Sequence, residues 1–138
     1  MVIGVPREIL ENERRVAALP EAVAEYSRMG YRVLVESSAG EGAYRSDQEY
    51  ASAGAGIVSS PEDLYSRSDL ILKVKQPCFN RTSGKHEVEM MRPGVMLVGF
   101  LHPAAPANHE IVEMLRDRNI TSLTMDSIPR ISRAQPMD

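Results

Sequence analysis

Six short apolar runs, each followed by a segment of different character, constrain this chain more than any other feature. They are Val2 to Val5, Tyr31 to Glu36, Gly56 to Val58, Asp69 to Val74, Val95 to Leu101 and Ile120 to Met125. Their length and their Val, Ile and Leu content are those of strands. The segments between them have helical signals. Pro20 opens one helix, because its missing N–H would be unpaired in a first turn anyway. Glu21 complements the helix dipole there. Val23, Tyr26 and Met29 recur at helical spacing, and Gly30 closes the helix. Ser46-Asp47-Gln48-Glu49 spells a capping box, with Gly54 as its stop. Ser60-Pro61 starts a short helix to about Ser66. Asn108 is expected to cap a helix carrying Ile111, Val112 and Leu115, with Asn119 as stop. A loop and a helical turn are expected before Pro93-Gly94. Strands alternating with helices in this way predict an α/β fold. Its sheet is doubly wound, mostly parallel and of about six strands, flavodoxin- or Rossmann-like, with right-handed crossovers. The unbroken Leu70-Ile71-Leu72 predicts cover on both faces of its strand.

Composition narrows the function classes. The 138 residues suit one domain, and 43% hydrophobic with 25% charged residues are globular values. The net charge is −3, with no Trp and two Phe, so nucleic acid is not an expected partner. No apolar run approaches the roughly 20 residues of a membrane helix, so direct membrane insertion is not expected. The N-terminus lacks the pattern of a cleaved signal. A single cysteine, Cys78, excludes an internal disulfide and a four-thiolate metal centre, and no metal is expected. A reducing compartment follows as the default.

Ligands of open α/β sheets bind outside the carboxyl ends of the strands. That rule selects Arg7, Arg14 and Arg15 after the first strand, Lys73 and Lys75 after the fourth, and His102 after the fifth. Asp126, Arg130, Arg133, Gln135 and Asp138 follow the sixth. The result is a cation-rich rim with one imidazole, suited to a carboxylate or phosphate. His102 can act there as acid or base. Plainer readings stand beside these. Glu11 and Glu13 can pair with Arg14 or Arg15. Lys73 and Lys75 share a side if their strand continues, and can snorkel at its end. His102 is equally readable as a satisfied structural histidine. His86 and His109 read as solvated surface, and Cys78 as inert. Gly40-Glu41-Gly42 reads as a tight turn. The chain has no complete G-x-G-x-x-G and no Walker A pattern.

A more specific signal lies in longer stretches. IGVPREILENERRVAALPEAV, VLVESSAGEGA, Tyr50 with Ala53-Gly54-Ala55, SDLILKVKQP, GFLHPA and ITSLTMDSIPRISRAQPMD span essentially the whole chain. In this order they resemble the family that joins alanine dehydrogenase to the alpha subunit of proton-translocating NAD(P) transhydrogenase. PRISRAQ-x-MD resembles the transhydrogenase branch in particular.

The resemblance implies an N-terminal subdomain over 1–126 and a nicotinamide-facing loop over 127–138. Ser127 to Asp138 follow a strand without a regular pattern, so the chain is expected to continue into a second, missing NAD-binding subdomain that carries the glycine fingerprint. NAD(H) would lie between the two, touched by Arg130, Gln135 and Asp138. NADP(H) would bind a partner domain, and membrane components would couple hydride transfer to proton translocation. A homodimer is expected, on the cytoplasmic side and peripheral to the inner membrane through partner subunits. The parent is then an oxidoreductase, with this fragment inactive alone. The alternative is an alanine dehydrogenase-like enzyme, in which Arg15 and Lys75 bind a substrate carboxylate and His102 is the acid/base. A third reading is a non-catalytic domain kept for dimerisation or regulation.

Overall fold

Each of the six apolar runs forms a strand in the computed structural model, which describes residues 1–126. Residues 127–138, with Arg130, Arg133, Gln135 and Asp138, lie outside the described residues. In chain order the elements are β1 (Val2–Val5), α1 (Pro20–Arg28), β2 (Arg32–Glu36), α2 (Asp47–Ser52), β3 (Gly56–Val58), α3 (Pro61–Arg67) and β4 (Leu70–Leu72). Then come β5 (Phe79–Asn80), β6 (Lys85–His86), α4 (Glu87–Met90), β7 (Met96–Gly99), α5 (His109–Asp117) and β8 (Thr121–Thr124). Six strands make one parallel sheet in the order β3-β2-β1-β4-β7-β8. This is the doubly wound order, with its topological switch between β1 and β4.

Local chemistry explains the elements. Pro20 sits in the first turn of α1, and Gly30 follows it at φ +95°. Ser46 Oγ accepts the Glu49 N–H while Glu49 reaches back to the Ser46 N–H, so both halves of the capping box form. Ser60 caps α3 in the simpler way, accepting the Asp63 N–H. Asn108 does not cap α5. Its amide instead donates to the Leu101 and His102 carbonyls, and a 3-10 turn over Pro106–Asn108 leads into the helix. The strands after residue 69 are shorter than the apolar runs, although the Lys73 N–H still donates to the Val98 carbonyl and the Phe100 N–H to the Val74 carbonyl beyond them. Between β4 and β7 lies an antiparallel hairpin, β5–β6, that the sequence did not announce.

Alternation along the strands divides the core. Val33 and Val35 pack with Ile3, Val5, Val23 of α1 and Tyr50 of α2 on one face. Leu34 points to the other face, with Val58 and Leu64 of α3. Ile71, Leu97, Tyr65 and Leu115 fill the layer under α3, α4 and α5. The expected two-sided cover of β4 is half right. Ile71 is fully buried, whereas Leu70 and Leu72 are only half-buried. They pack at the margin of the α1–α2 cluster and register with Met96 and Val98, and Val98 with Leu123, where that cover thins out. Met96 is 38% exposed there and Leu123 54%. Among the described residues no helix is long and apolar enough to cross a membrane.

Gly4 lets the chain following α3 lie against the sheet. A Cβ at that position would stand 1.9 Å from Ser68 Oγ, which is buried and donates to the Leu64 carbonyl. Gly4→Ala is therefore expected to lower stability by ~1–3 kcal/mol through overpacking, measured by urea denaturation. An unchanged midpoint would show that α3 yields at no cost.

Candidate functional site

A parallel sheet gathers the ends of all its strands on one edge, and three loops there carry the rim residues. The loop after β1 begins with Arg7, whose N–H donates to Glu36 Oε1 at 3.0 Å. Glu8 turns inward, and Asn12 takes φ +66° as the chain reverses. The loop then passes over the turn at Gly40 and Gly42. A Cβ on Gly42 would meet the Arg14 carbonyl oxygen at 2.5 Å, so the glycine permits a backbone-to-backbone approach. Tyr50 anchors the end of the loop by donating to the Ala18 carbonyl at 2.7 Å. Burial pushes the Tyr50 phenol up to about 12.

Beneath the rim lies a fully buried charge network that the strand pattern alone did not reveal. Lys73 Nζ stands 3.2 Å from Glu8 and 3.4 Å from Glu87, and all three side chains are out of solvent. Glu8 also accepts the N–H groups of Val74 at 2.8 Å and Lys75 at 3.1 Å. Glu87 accepts the Tyr65 hydroxyl at 2.7 Å and the Cys78 N–H at 3.0 Å. Lys73 thus departs from the expected rim: β4 ends at Leu72, and Lys73 enters the core. Burial opposes its charge, but Glu87 and Glu8 outweigh it and raise its pKa. Burial raises the Glu36 carboxyl and pushes the Cys78 thiol up to about 11, so Cys78 is the inert thiol expected.

Arg15 and Lys75 remain at the surface. Arg15 forms a two-point pair with Glu13, at 2.9 and 2.8 Å, and Glu13 also accepts the Arg15 N–H. The Arg15 hydrogen bonds hold Glu13 down to about 2, and the charge of Lys75 adds to the shift. The plainer reading of Arg15 as a partner of Glu13 is therefore correct, and the guanidinium still lines a cleft. That cleft, of about 570 Å³, lies over the half-covered face, with Tyr26, Leu72, Val98, Phe100 and Met125 on its walls. A second hollow of about 410 Å³ lies between α5 and β8, away from the rim cations Arg15 and Lys75.

His102 stands on the loop after β7 with φ +48° and a side chain 44% exposed. Both the acid/base reading and the satisfied structural reading are compatible with this placement. Its Nδ1 is 2.9 Å from Asp126 Oδ1. His86 also departs from the solvated reading. It is half-buried, and its Nδ1 accepts the Val88 N–H at the start of α4. His109 is exposed, as expected. Glu8, Glu87 and Tyr65 escaped the sequence reading. The available signal was Lys73 itself, a lysine directly after a strand buried on one face, which demands a carboxylate inside.

Lys73→Met is expected to cost ~3–5 kcal/mol at pH 7, because it leaves two buried carboxylates without their cation. The folded-state pKa of Lys73 is raised, so its contribution is complete below the unfolded lysine value of about 10.4. That contribution is lost as pH rises through the higher folded value. Denaturation curves of wild type and variant should therefore converge only in strong alkali. Equal stability at pH 7 would overturn the network's role.

Comparison with known proteins agrees with this architecture. Residues 4–138 match the family described as alanine dehydrogenase/PNT, N-terminal domain. The chain is 43% identical over all 138 residues to the NAD(P) transhydrogenase subunit alpha of Haemophilus influenzae, covering 25% of that protein. Among solved structures, transhydrogenase from Sinorhizobium meliloti superposes with a TM-score of 0.85 at 33% identity, over 100% of this chain and 39% of that one. An L-alanine dehydrogenase superposes with a TM-score of 0.84 at 34% identity, over 99% of this chain and 36% of that one. The chain thus spans about a quarter to two fifths of the length of these relatives. With its six-stranded parallel sheet and its matched rim, the chain belongs to the alanine dehydrogenase/PNT N-terminal domain family.

Proposed function

We propose that this chain is the N-terminal subdomain of the NAD(H)-binding component of an NAD(P) transhydrogenase. The parent would transfer hydride between NAD(H) and NADP(H), the latter on a partner domain, coupled to proton translocation by membrane components. The proposed setting is the cytoplasmic side of the inner membrane, with the parent acting as a homodimer. One observation carries the reading. The PRISRAQ-x-MD motif begins three residues after Asp126, and Asp126 lies at the strand-end edge that also holds the cleft.

The residues present fit one end of NAD(H). The crevice at the β1–β4 switch holds carboxylates, Glu8 and Glu36, which oppose a pyrophosphate. The neighbouring cleft has apolar walls from Leu72, Val98 and Phe100 with Arg15 at its mouth, a setting for a flat ring bearing a carboxamide. Arg130, Gln135 and Asp138 are proposed to hold that end of the cofactor. When bound, NAD(H) supplies the hydride. The chain's own contribution is to exclude water and fix the ring, because direct transfer between two nicotinamides requires near-attack geometry and no acid or base. The open face over β4, β7 and β8 supports a cofactor shared with a second subdomain.

The second reading is an alanine dehydrogenase-like oxidoreductase. The His102–Asp126 pair favours it, since a held imidazole at the rim is idle in ring-to-ring transfer. Arg15 and Lys75 would then receive a carboxylate.

Calorimetric titration with NADH separates a half-site from a complete one. The chain alone is expected to bind more weakly than ~0.1 mM, about 5.5 kcal/mol; tighter saturable binding would mean a complete nucleotide site here. In the complete protein, Arg130→Ala is expected to weaken NADH by ~1–3 kcal/mol, the loss of a charge-assisted bond. Assays of the complete protein for hydride transfer to an NADP(H)-binding partner and for alanine oxidation decide between the readings. Robust alanine turnover abolished by His102→Ala would replace the first reading with the second.

A further inference from the structure

We infer that Asp126 is the positioning residue of His102, holding the imidazole as its Nδ1–H tautomer with Nε2 bare for proton exchange. The inference deepens the second, alanine dehydrogenase-like reading and rests on it for the reaction that the pair would serve. The geometry itself stands apart from either reading.

An ordinary surface ion pair joins two mobile side chains and contributes little. This pair is built differently. Asp126 Oδ1 faces His102 Nδ1 at 2.9 Å, while Oδ2 accepts the backbone N–H groups of Leu101 at 3.1 Å and of His102 at 2.9 Å. The Thr124 hydroxyl adds a further bond to the same oxygen. The carboxylate is therefore oriented by the backbone of the residue whose ring it meets, and it cannot swing away without releasing both N–H groups. The opposite side of that backbone is held as well. Asn108 Nδ2 donates to the Leu101 carbonyl at 3.2 Å and the His102 carbonyl at 3.1 Å. Both donors and both acceptors of the two residues are thus committed. The left-handed φ of His102 is unfavourable for a residue with a Cβ and persists only because these bonds fix it.

The depths of the two side chains fit the assignment. Asp126 is 21% exposed and His102 44% exposed, so the carboxylate lies behind and the imidazole in front. Among the described residues, Nε2 has no hydrogen-bond partner. A carboxylate at Nδ1 keeps the proton on that nitrogen, which leaves Nε2 as the basic, ligand-accessible site. Partial burial alone would raise the Asp126 carboxyl, but the Thr124 and His102 hydrogen bonds hold it below the usual carboxylate value, so it stays an acceptor. The two residues come from the ends of neighbouring parallel strands, β7 and β8. Their meeting follows from the register Gly99 with Thr124.

The test is a two-bond proton–nitrogen correlation spectrum of the full chain with nitrogen-labelled histidine, recorded where His102 is neutral. Free imidazole favours the Nε2–H form, so a majority of Nδ1–H at His102 is the expected and diagnostic result. Asp126→Asn should return His102 to mostly Nε2–H while the far-UV spectrum stays unchanged, and Asp126→Glu should restore part of the Nδ1–H form. A wild-type majority of Nε2–H overturns the inference, as does an Nδ1–H majority that survives Asp126→Asn. Should the variant not fold, the wild-type spectrum decides alone. In the complete protein, Asp126→Asn should lower kcat for a proton-coupled oxidation by ~10²-fold, the low end of general acid–base contributions. KM should stay within about twofold. A kcat loss with the tautomer unchanged would assign Asp126 a merely structural role and overturn the inference. The expected tautomer in a protein that oxidises neither amino acids nor hydroxy acids would support the positioning and remove the reading it was to serve.

Discussion

Lys73 sets the terms for the rest of this structure. An ammonium buried without a partner costs several kcal/mol, so a lysine at the end of β4 obliges the chain to deliver carboxylates to it. Glu8 arrives from the loop after β1 and Glu87 from the start of α4. Each carboxylate has lone pairs left to satisfy, and each accepts N–H groups from the loop after β4. Glu8 accepts Val74 and Lys75, and Glu87 accepts Cys78. Three segments far apart in sequence are thereby tied at one point. Arg15, which lines the cleft, and Lys75 extend from two of those segments. Their relative height follows from a network neither of them enters.

Handedness accounts for the second governing feature, the half-covered sheet. Right-handed crossovers from β1 to β2 to β3 put α1 and α2 on one face. The chain then returns across the switch point and winds in the opposite direction through β4, β7 and β8, which puts α4 and α5 on the other face. On that first face the cover reaches Leu70 and Leu72 of β4 only in part and thins beyond them. Leu70, Leu72, Met96, Val98 and Leu123 are left there in register. An apolar strip of this kind beside a rim of cations makes a cleft with one wall.

The sequence was most legible where a local rule had no competitor. The caps at Ser46 and Ser60, the opening at Pro20 and the stops at Gly30 and Gly54 rest on bonds within a few residues, and they appear as read. The six strands were equally plain, because apolar runs alternated with helices. Legibility failed where a long-range partner took over. Asn108 has the chemistry of a cap, but the Leu101 and His102 carbonyls, seven and six residues earlier, claim its amide. Lys73 and Lys75 looked equivalent two residues apart, until Glu8 and Glu87 took one of them. The β5–β6 hairpin turns through Arg81 to Gly84, too long a loop for the two-residue signals that announce hairpins. At the site, Arg15, Lys75 and His102 were found by the strand-end rule. The same rule picked out Asp126, whereas Glu8 and Glu87 required the third dimension.

The missing glycine fingerprint also has a physical account. In this strand order a nucleotide's phosphates usually meet the glycine-rich turn after β1, at the switch between β1 and β4. Here that turn carries Glu8. Its carboxylate accepts two successive backbone N–H groups and an ammonium, the kind of donor set a phosphate would seek. Glu36, at the end of β2 where a carboxylate would otherwise meet a ribose, accepts the Arg7 N–H instead. The two carboxylates are thus satisfied from within, and a second anion there would face both of them. The neighbouring cleft, lined by Arg15, Leu72, Val98, Phe100 and Met125, lies beside this filled crevice. An α/β domain whose switch point is filled by its own carboxylates offers an anion less there than a glycine-rich turn does.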